Sequence, residues 1–157
     1  MAIRRKQRGR LELLKNREKI EDLLKSYKSI KSNIEIELNK EYPEYSLDSV
    51  SFVKTTGNTN AVSSLVEDYV VDKYSLDDEL IAKIQVFNII KAALESLTRE
   101  QYRIIKQLYF EDKVLVEVGA ELGWSRWMIQ RKRNKIIDKL KNVGILNAWE
   151  IHNENFT

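Results

Sequence analysis

Apolar positions in the first quarter of the chain recur at steps of three and four. Ile20, Leu23, Leu24, Tyr27, Ile30, Ile34 and Leu38 share one stripe of a helix, while the other faces mix Glu with Lys. The pattern predicts one long helix over Leu11–Lys40, stopped by Pro43. Its stripe must be buried against the rest of the chain or against a second copy of itself. Residues 44–60 read as a connector, with Thr55-Thr56-Gly57-Asn58-Thr59-Asn60 its loosest part. A short helix over Ala61–Lys73 presents Val62, Leu65, Val66, Tyr69 and Val70. The following helix carries Leu80, Ile84, Phe87, Ile90 and Leu94 as a narrow core stripe. Ser75 is its expected cap, and Asp77, Asp78 and Glu79 suit its positive end.

The next boundary is sharper. Thr98-Arg99-Glu100-Gln101 has the form of a capping box, in which the Thr98 hydroxyl accepts from the Gln101 amide and Gln101 reaches back. Leu97 and Tyr102 are placed to form a hydrophobic staple across it. The helix opened here, Arg99–Phe110, is predicted to bury Tyr102, Ile105, Leu108 and Tyr109, and it closes at Glu111-Asp112-Lys113.

From Leu115 to Leu140 the pattern is that of a helix-turn-helix. Two helices crossing steeply need a small residue where their backbones touch, which Gly119 supplies. Gly123 tolerates the positive φ at which the first helix must stop. Val118, Leu122, Trp124 and Ile129 form the wedge, and Ser125 caps the second helix. With Ile129, Ile136 or Ile137, and Leu140 facing inward, Arg126, Trp127, Gln130, Arg131 and Arg133 project outward.

Such a helix fits the major groove of a duplex, where Arg reads guanine and Gln reads adenine. Arg126, Gln130 and Arg131 are the expected base readers, and Arg133, Lys135 and Lys139 the expected phosphate contacts. The plainer alternative is a helical hairpin with a solvated basic face. Trp127 has two uses open to it: stacking on DNA, or filling the interface left shallow by Lys132. Trp124 is expected in the core.

Charge sharpens this picture more than composition does. The formal net charge is only +3. It is segregated: Arg4, Arg5, Lys6, Arg8 and Arg10 open the chain with no acid among them, and residues 43–80 are acidic. Between Trp124 and Val143, seven cations face Asp138 alone. The basic start is either an arm along a phosphate backbone or a frayed, solvated terminus, and mobility of termini favours the second. The tail, Ile145-Leu146-Asn147-Ala148-Trp149-Glu150-Ile151, is amphipathic enough to pack back or to dimerise. With no Cys and the single His152, read as a surface residue, neither thiolate nor multi-histidine metal sites are available. No nucleophile–base spacing or phosphate-cradling glycine loop is present, so the expectation is no enzyme, no cofactor and no metal. Asp77, Asp78 and Glu79 are better explained by helix-dipole complementation than by metal binding. Without a signal core or a bilayer-length apolar run, a cytoplasmic location is expected.

Residues Leu94–Leu140 resemble region 4 of sigma factors, on Leu-Thr-Arg-Glu-Gln, then Val-Gly-Ala-Glu-Leu-Gly-Trp-Ser-Arg, then a basic helix ending Asp-Lys-Leu-Lys. The order of parts over Ser51–Leu140 resembles the ArpU and RinA-type phage transcriptional regulators. The resemblance implies an activator of late phage or autolysin-type genes acting at a promoter. By position it puts Arg126, Trp127, Gln130 and Arg131 where the family places its promoter-reading side chains; Ser125, the cap before them, is counted with them as a DNA-binding residue. Trp127, Lys132 and Asn134 depart from the family pattern, which leaves the sequence preference open and implies shallower packing of the recognition helix.

The sum is an all-α chain: a long N-terminal helix over residues 1–42, a connector and short acidic helix over 43–74, a helical domain over 75–143 holding the helix-turn-helix at 115–140, and a tail over 144–157. Double-stranded DNA is the expected partner, with host RNA polymerase as a second and self-association through the N-terminal helix as an option. Two rival functions share these features: a small terminase subunit that marks viral DNA for packaging, and a module that docks on polymerase without reading DNA.

Overall fold

A computed structural model describes residues 2–41 and 77–156, and every described element is a helix. The predicted connector at 44–60, the short helix Ala61–Lys73, the helix stop at Pro43 and the cap at Ser75 lie outside the described residues. Six helices follow in order: α1 (Ala2–Glu41), α2 (Asp78–Glu95), α3 (Arg99–Ile105, continued by a π turn over Lys106–Phe110), α4 (Leu115–Leu122), α5 (Arg126–Asn142) and α6 (Leu146–Phe156).

α1 spans about 60 Å. Its predicted stripe is the spine of the core: Ile20, Leu23, Leu24, Ile30, Ile34 and Leu38 are buried, and Tyr27 stacks on Phe87 and Phe110 at centroid distances of 5.1 and 5.4 Å. The stripe is covered by this chain's own α2, π turn, α5 and α6. The helix starts earlier than the pattern predicts. Arg4, Arg5, Lys6, Arg8 and Arg10 stand on its first turns, exposed and helical, where a frayed terminus was expected. An all-cationic start offers little to bury but nothing that forbids helix, since Arg and Lys are good helix formers.

Asp77 caps α2, its carboxylate accepting from the Glu79 amide at 3.2 Å, with Asp78 and Glu79 in the first turn. All five expected core residues of α2 are buried, and Ala82, Val86 and Ala93 join them. The stripe is broader than predicted because α2 is held between α1 and α6. Lys83 ties α2 to α1 by donating to Glu37 at 2.6 Å. The tail packs back as α6, with Ile145 and Ala148 fully buried against the body. His152 is half-buried beside Ile30, Asn33 and Val86, not on the open surface as expected.

The capping box of α3 is formed: the Gln101 amide donates to Thr98 Oγ1 at 3.3 Å, and the Thr98 amide to Gln101 Oε1 at 3.0 Å. Of the four residues expected inside, Ile105 and Tyr109 are buried and Leu108 is half-buried, so the expectation fails at Tyr102. Ile104 and Ile105 are inside, whereas Tyr102 is 41% exposed. Outside, the Tyr102 hydroxyl stays hydrated at no cost, while aliphatic Ile104 has no polar tip to satisfy. The helix then widens into the π turn, which carries Tyr109 and Gln107 inward. No helix among the described residues is long and apolar enough to cross a membrane.

Candidate nucleic-acid interface

The start of α4 is held by Glu117, whose carboxylate accepts from the Val114 amide at 2.9 Å. One turn on, Gly119 lies against the chain entering α5: a Cβ there would sit 2.4 Å from the Trp124 carbonyl oxygen. The Gly119 carbonyl in turn accepts from the Trp124 amide at 2.8 Å. Gly123 ends α4 at φ +74°, the left-handed region. Ser125 caps α5 by accepting from the Met128 amide at 3.2 Å. Val118 and Ile129 are fully buried between the two helices, with Leu122 and Trp124 packed beside them. Backbone contact, glycine stop and serine cap thus fix how α5 leaves the turn.

Ile129, Ile136, Ile137 and Leu140 all face the core. The opposite side of α5 is open. Ser125, Arg126, Trp127, Gln130, Arg131 and Lys135 are exposed there, and neither α1 nor α6 lies over them. Trp127 is 61% exposed, so of its two possible uses it does not fill the helix interface. The Arg131 guanidinium lies over the Trp127 ring, 4.7 Å from its centroid. Lys132 supplies the packing that Trp127 does not: its ammonium sits 4.0 Å from the Trp124 centroid and donates to Glu100 at 2.8 Å.

The remaining cations proposed for phosphate contact behave differently. Lys139 donates to Gln101 Oε1 at 3.1 Å. Arg133 turns toward α1, its Nε 3.8 Å from Glu21 and its Nη2 3.4 Å from Asn134 Oδ1. Of the eight residues predicted for DNA, six therefore form one exposed face, and Arg133 and Lys139 brace α5 against the body.

Sequence reasoning missed the partners that set the back of α5. Arg17 forms a two-pronged ion pair with Asp138, Nε to Oδ1 at 3.1 Å and Nη2 to Oδ2 at 2.8 Å. That hydrogen-bonded pair raises the Arg17 pKa above its ordinary value. Glu21 accepts from the Tyr109 hydroxyl at 3.0 Å. Burial, reinforced by the charge of Glu21, pushes the Tyr109 phenol well above its usual range. The only available signal was that Asp138 stood alone among cations, which marks an acid with a distant partner.

Beyond α5, a groove of about 410 Å³ opens where α1, the start of α4 and the start of α5 meet, lined among others by Lys25, Val114, Val116, Arg126 and Arg133. Among the described residues there is no group of three or more His, Asp or Glu placed to hold a metal ion.

Residues 93–142 match the family described as Sigma-70, region 4. The chain is also 32% identical over 117 residues, 73% of its length, to a protein of Clostridium perfringens described as bacteriocin UviA. It covers 54% of that relative, so the chain spans about half the length of the curated protein it matches. No solved structure matches. The helix-turn-helix predicted for Leu115–Leu140 is therefore sigma region 4-like in sequence, and among the described residues, all of whose elements are helices, it lies toward the C-terminal side.

Proposed function

We propose that the chain is a sequence-specific, DNA-binding transcription regulator that lays α5 in the major groove of promoter DNA. The observation that carries this reading is the open face of α5, on which Arg126, Trp127, Gln130 and Arg131 are exposed while the opposite side is locked into the core. Arg126 and Arg131 donate to guanine edges, Gln130 spans an adenine, and Lys135 neutralises a phosphate. The Ser125 cap sets the first turn of α5 toward the base edges, the end that a recognition helix presents.

Within this reading the chain acts on late genes of a phage or prophage, as ArpU and RinA-type regulators do, with host RNA polymerase as its second partner. The match to sigma region 4 supports a promoter as the target. Enrichment of random duplexes on the full chain tests it. A discrete motif of a few base pairs, also present upstream of the regulated genes, is the expected result. Binding that depends on salt but not on sequence would leave only a packaging or scaffolding role. A mass many times the monomer in solution would favour the terminase alternative.

A further inference from the structure

We infer that α1 is part of the DNA interface, with Lys25 contacting the phosphodiester strand that runs past the start of α4. This rests on the reading of α5 as the recognition helix. In a helix-turn-helix complex the second helix enters the groove by its early residues while the first helix crosses the backbone. The strand bordering the groove therefore passes the N-terminal end of α4, next to Arg126. That is where the groove of about 410 Å³ opens, and its far wall is α1.

The charges in this groove sort into spent and unspent. Lys113 is held by Glu121 at 2.7 Å and Glu111 at 3.1 Å. Glu21 is occupied by the Tyr109 hydroxyl and faces Arg133. Arg133 is restrained by Glu21 and Asn134, yet its Nε is buried without a hydrogen-bond acceptor. Lys25 and Arg126 are exposed, and among the described residues neither has a hydrogen bond or ion pair. The net character is cationic, which an anionic backbone complements and an apolar peptide does not.

Two further features fit a nucleic-acid strand. Val114 and Val116 are 61% and 60% exposed at the mouth, an apolar rim suited to the edges of deoxyribose rings. Lys25 is also well anchored, because Leu23 and Leu24 beside it are buried and Glu21 one turn earlier is tied to Tyr109. Because the helix under it is already fixed, only the lysine's own side-chain freedom is lost when it meets a phosphate.

The experiment is fluorescence anisotropy of the full chain on its enriched duplex and on an unrelated duplex across a salt series. Lys25→Ala is compared with Lys40→Ala, the same charge change on the same helix about 22 Å away. Lys25→Ala is expected to weaken both duplexes by the same factor, about threefold to tenfold, and to make the log–log salt slope shallower by about 1. Lys25→Glu should exceed it, and Lys40→Ala should leave the slope as it was. A Lys25→Ala slope equal to that of Lys40→Ala, with the unsubstituted chain binding normally, overturns the inference while leaving the recognition helix in place. Failure of the unsubstituted chain to bind any duplex removes both.

Discussion

The Arg131 guanidinium rests on the face of the Trp127 indole, 4.7 Å from the ring centroid, and both side chains stand on the open side of α5. The two residues are one helical turn apart, where side chains i and i+4 meet. On the proposed reading of DNA by α5, this contact restrains the Arg131 guanidinium over the ring before DNA arrives. Trp127→Ala is expected to lower affinity for the preferred duplex by about 0.5–1 kcal/mol, the worth of an exposed cation–π contact. Isothermal titration checks it; an unchanged affinity would show that the stack does not prepare Arg131.

Gly119 is the tightest point of the turn. A Cβ there meets a backbone oxygen at 2.4 Å, which no side-chain rotation relieves. Gly119→Ala should cost about 1–3 kcal/mol of stability by overpacking, read as a lower urea midpoint at constant slope. Gly9→Ala is the control, because nothing lies within 4 Å of that position; it should be neutral or slightly stabilising.

Arg17→Ala removes the pair that ties the N-terminal helix to the back of α5. Both side chains reach some solvent, at 23% and 39% exposure, so screening trims the cost to roughly 1–2 kcal/mol. The expected readout is faster hydrogen exchange in the last two turns of α5. Equal exchange in both proteins would mean that core packing alone sets that end.

Much of this was legible in local chemistry. Gly119, Gly123, Ser125, Val118 and Ile129 serve one turn, and each constraint acts within ten residues or so. The capping box at Thr98 and the stripe of α1 were readable for the same reason. What stayed hidden depends on distant neighbours. Arg133 and Lys139 look like any other cations of a basic helix until Glu21 on α1 and Gln101 on α3 are placed beside them. Tyr102 carries the right period but lies on the open side of α3, and no periodicity foretells the π turn that follows it. The helical start of α1 was missed because a run of cations gives no stripe to follow.

A buried tyrosine, Tyr109, and a half-buried one, Tyr27, predict an alkaline weakness. Burial pushes the Tyr27 phenol up to about 12, and the Tyr109 phenol is raised too, whereas an unfolded tyrosine titrates near 10. The folded state therefore holds these protons longer. Their stabilising contribution is complete below about pH 10 and is lost as pH rises through the raised values. Urea midpoints should stay level through neutral pH and fall steeply above about pH 10. Tyr109→Phe should cost about 0.5–1.5 kcal/mol at pH 8, through the lost bond to Glu21, and soften the alkaline fall. An alkaline limb identical to that of the unsubstituted chain would contradict this.

The most direct trial of the account is the affinity ratio between the enriched duplex and one with a single guanine position changed, measured for the chain and for Arg131→Ala. If α5 reads bases, the chain discriminates by about 1–3 kcal/mol at that position, and Arg131→Ala abolishes the difference while still binding both. If no position in the duplex loses its discrimination on Arg131→Ala, Arg126→Ala or Gln130→Ala, the open face of α5 is not what reads DNA.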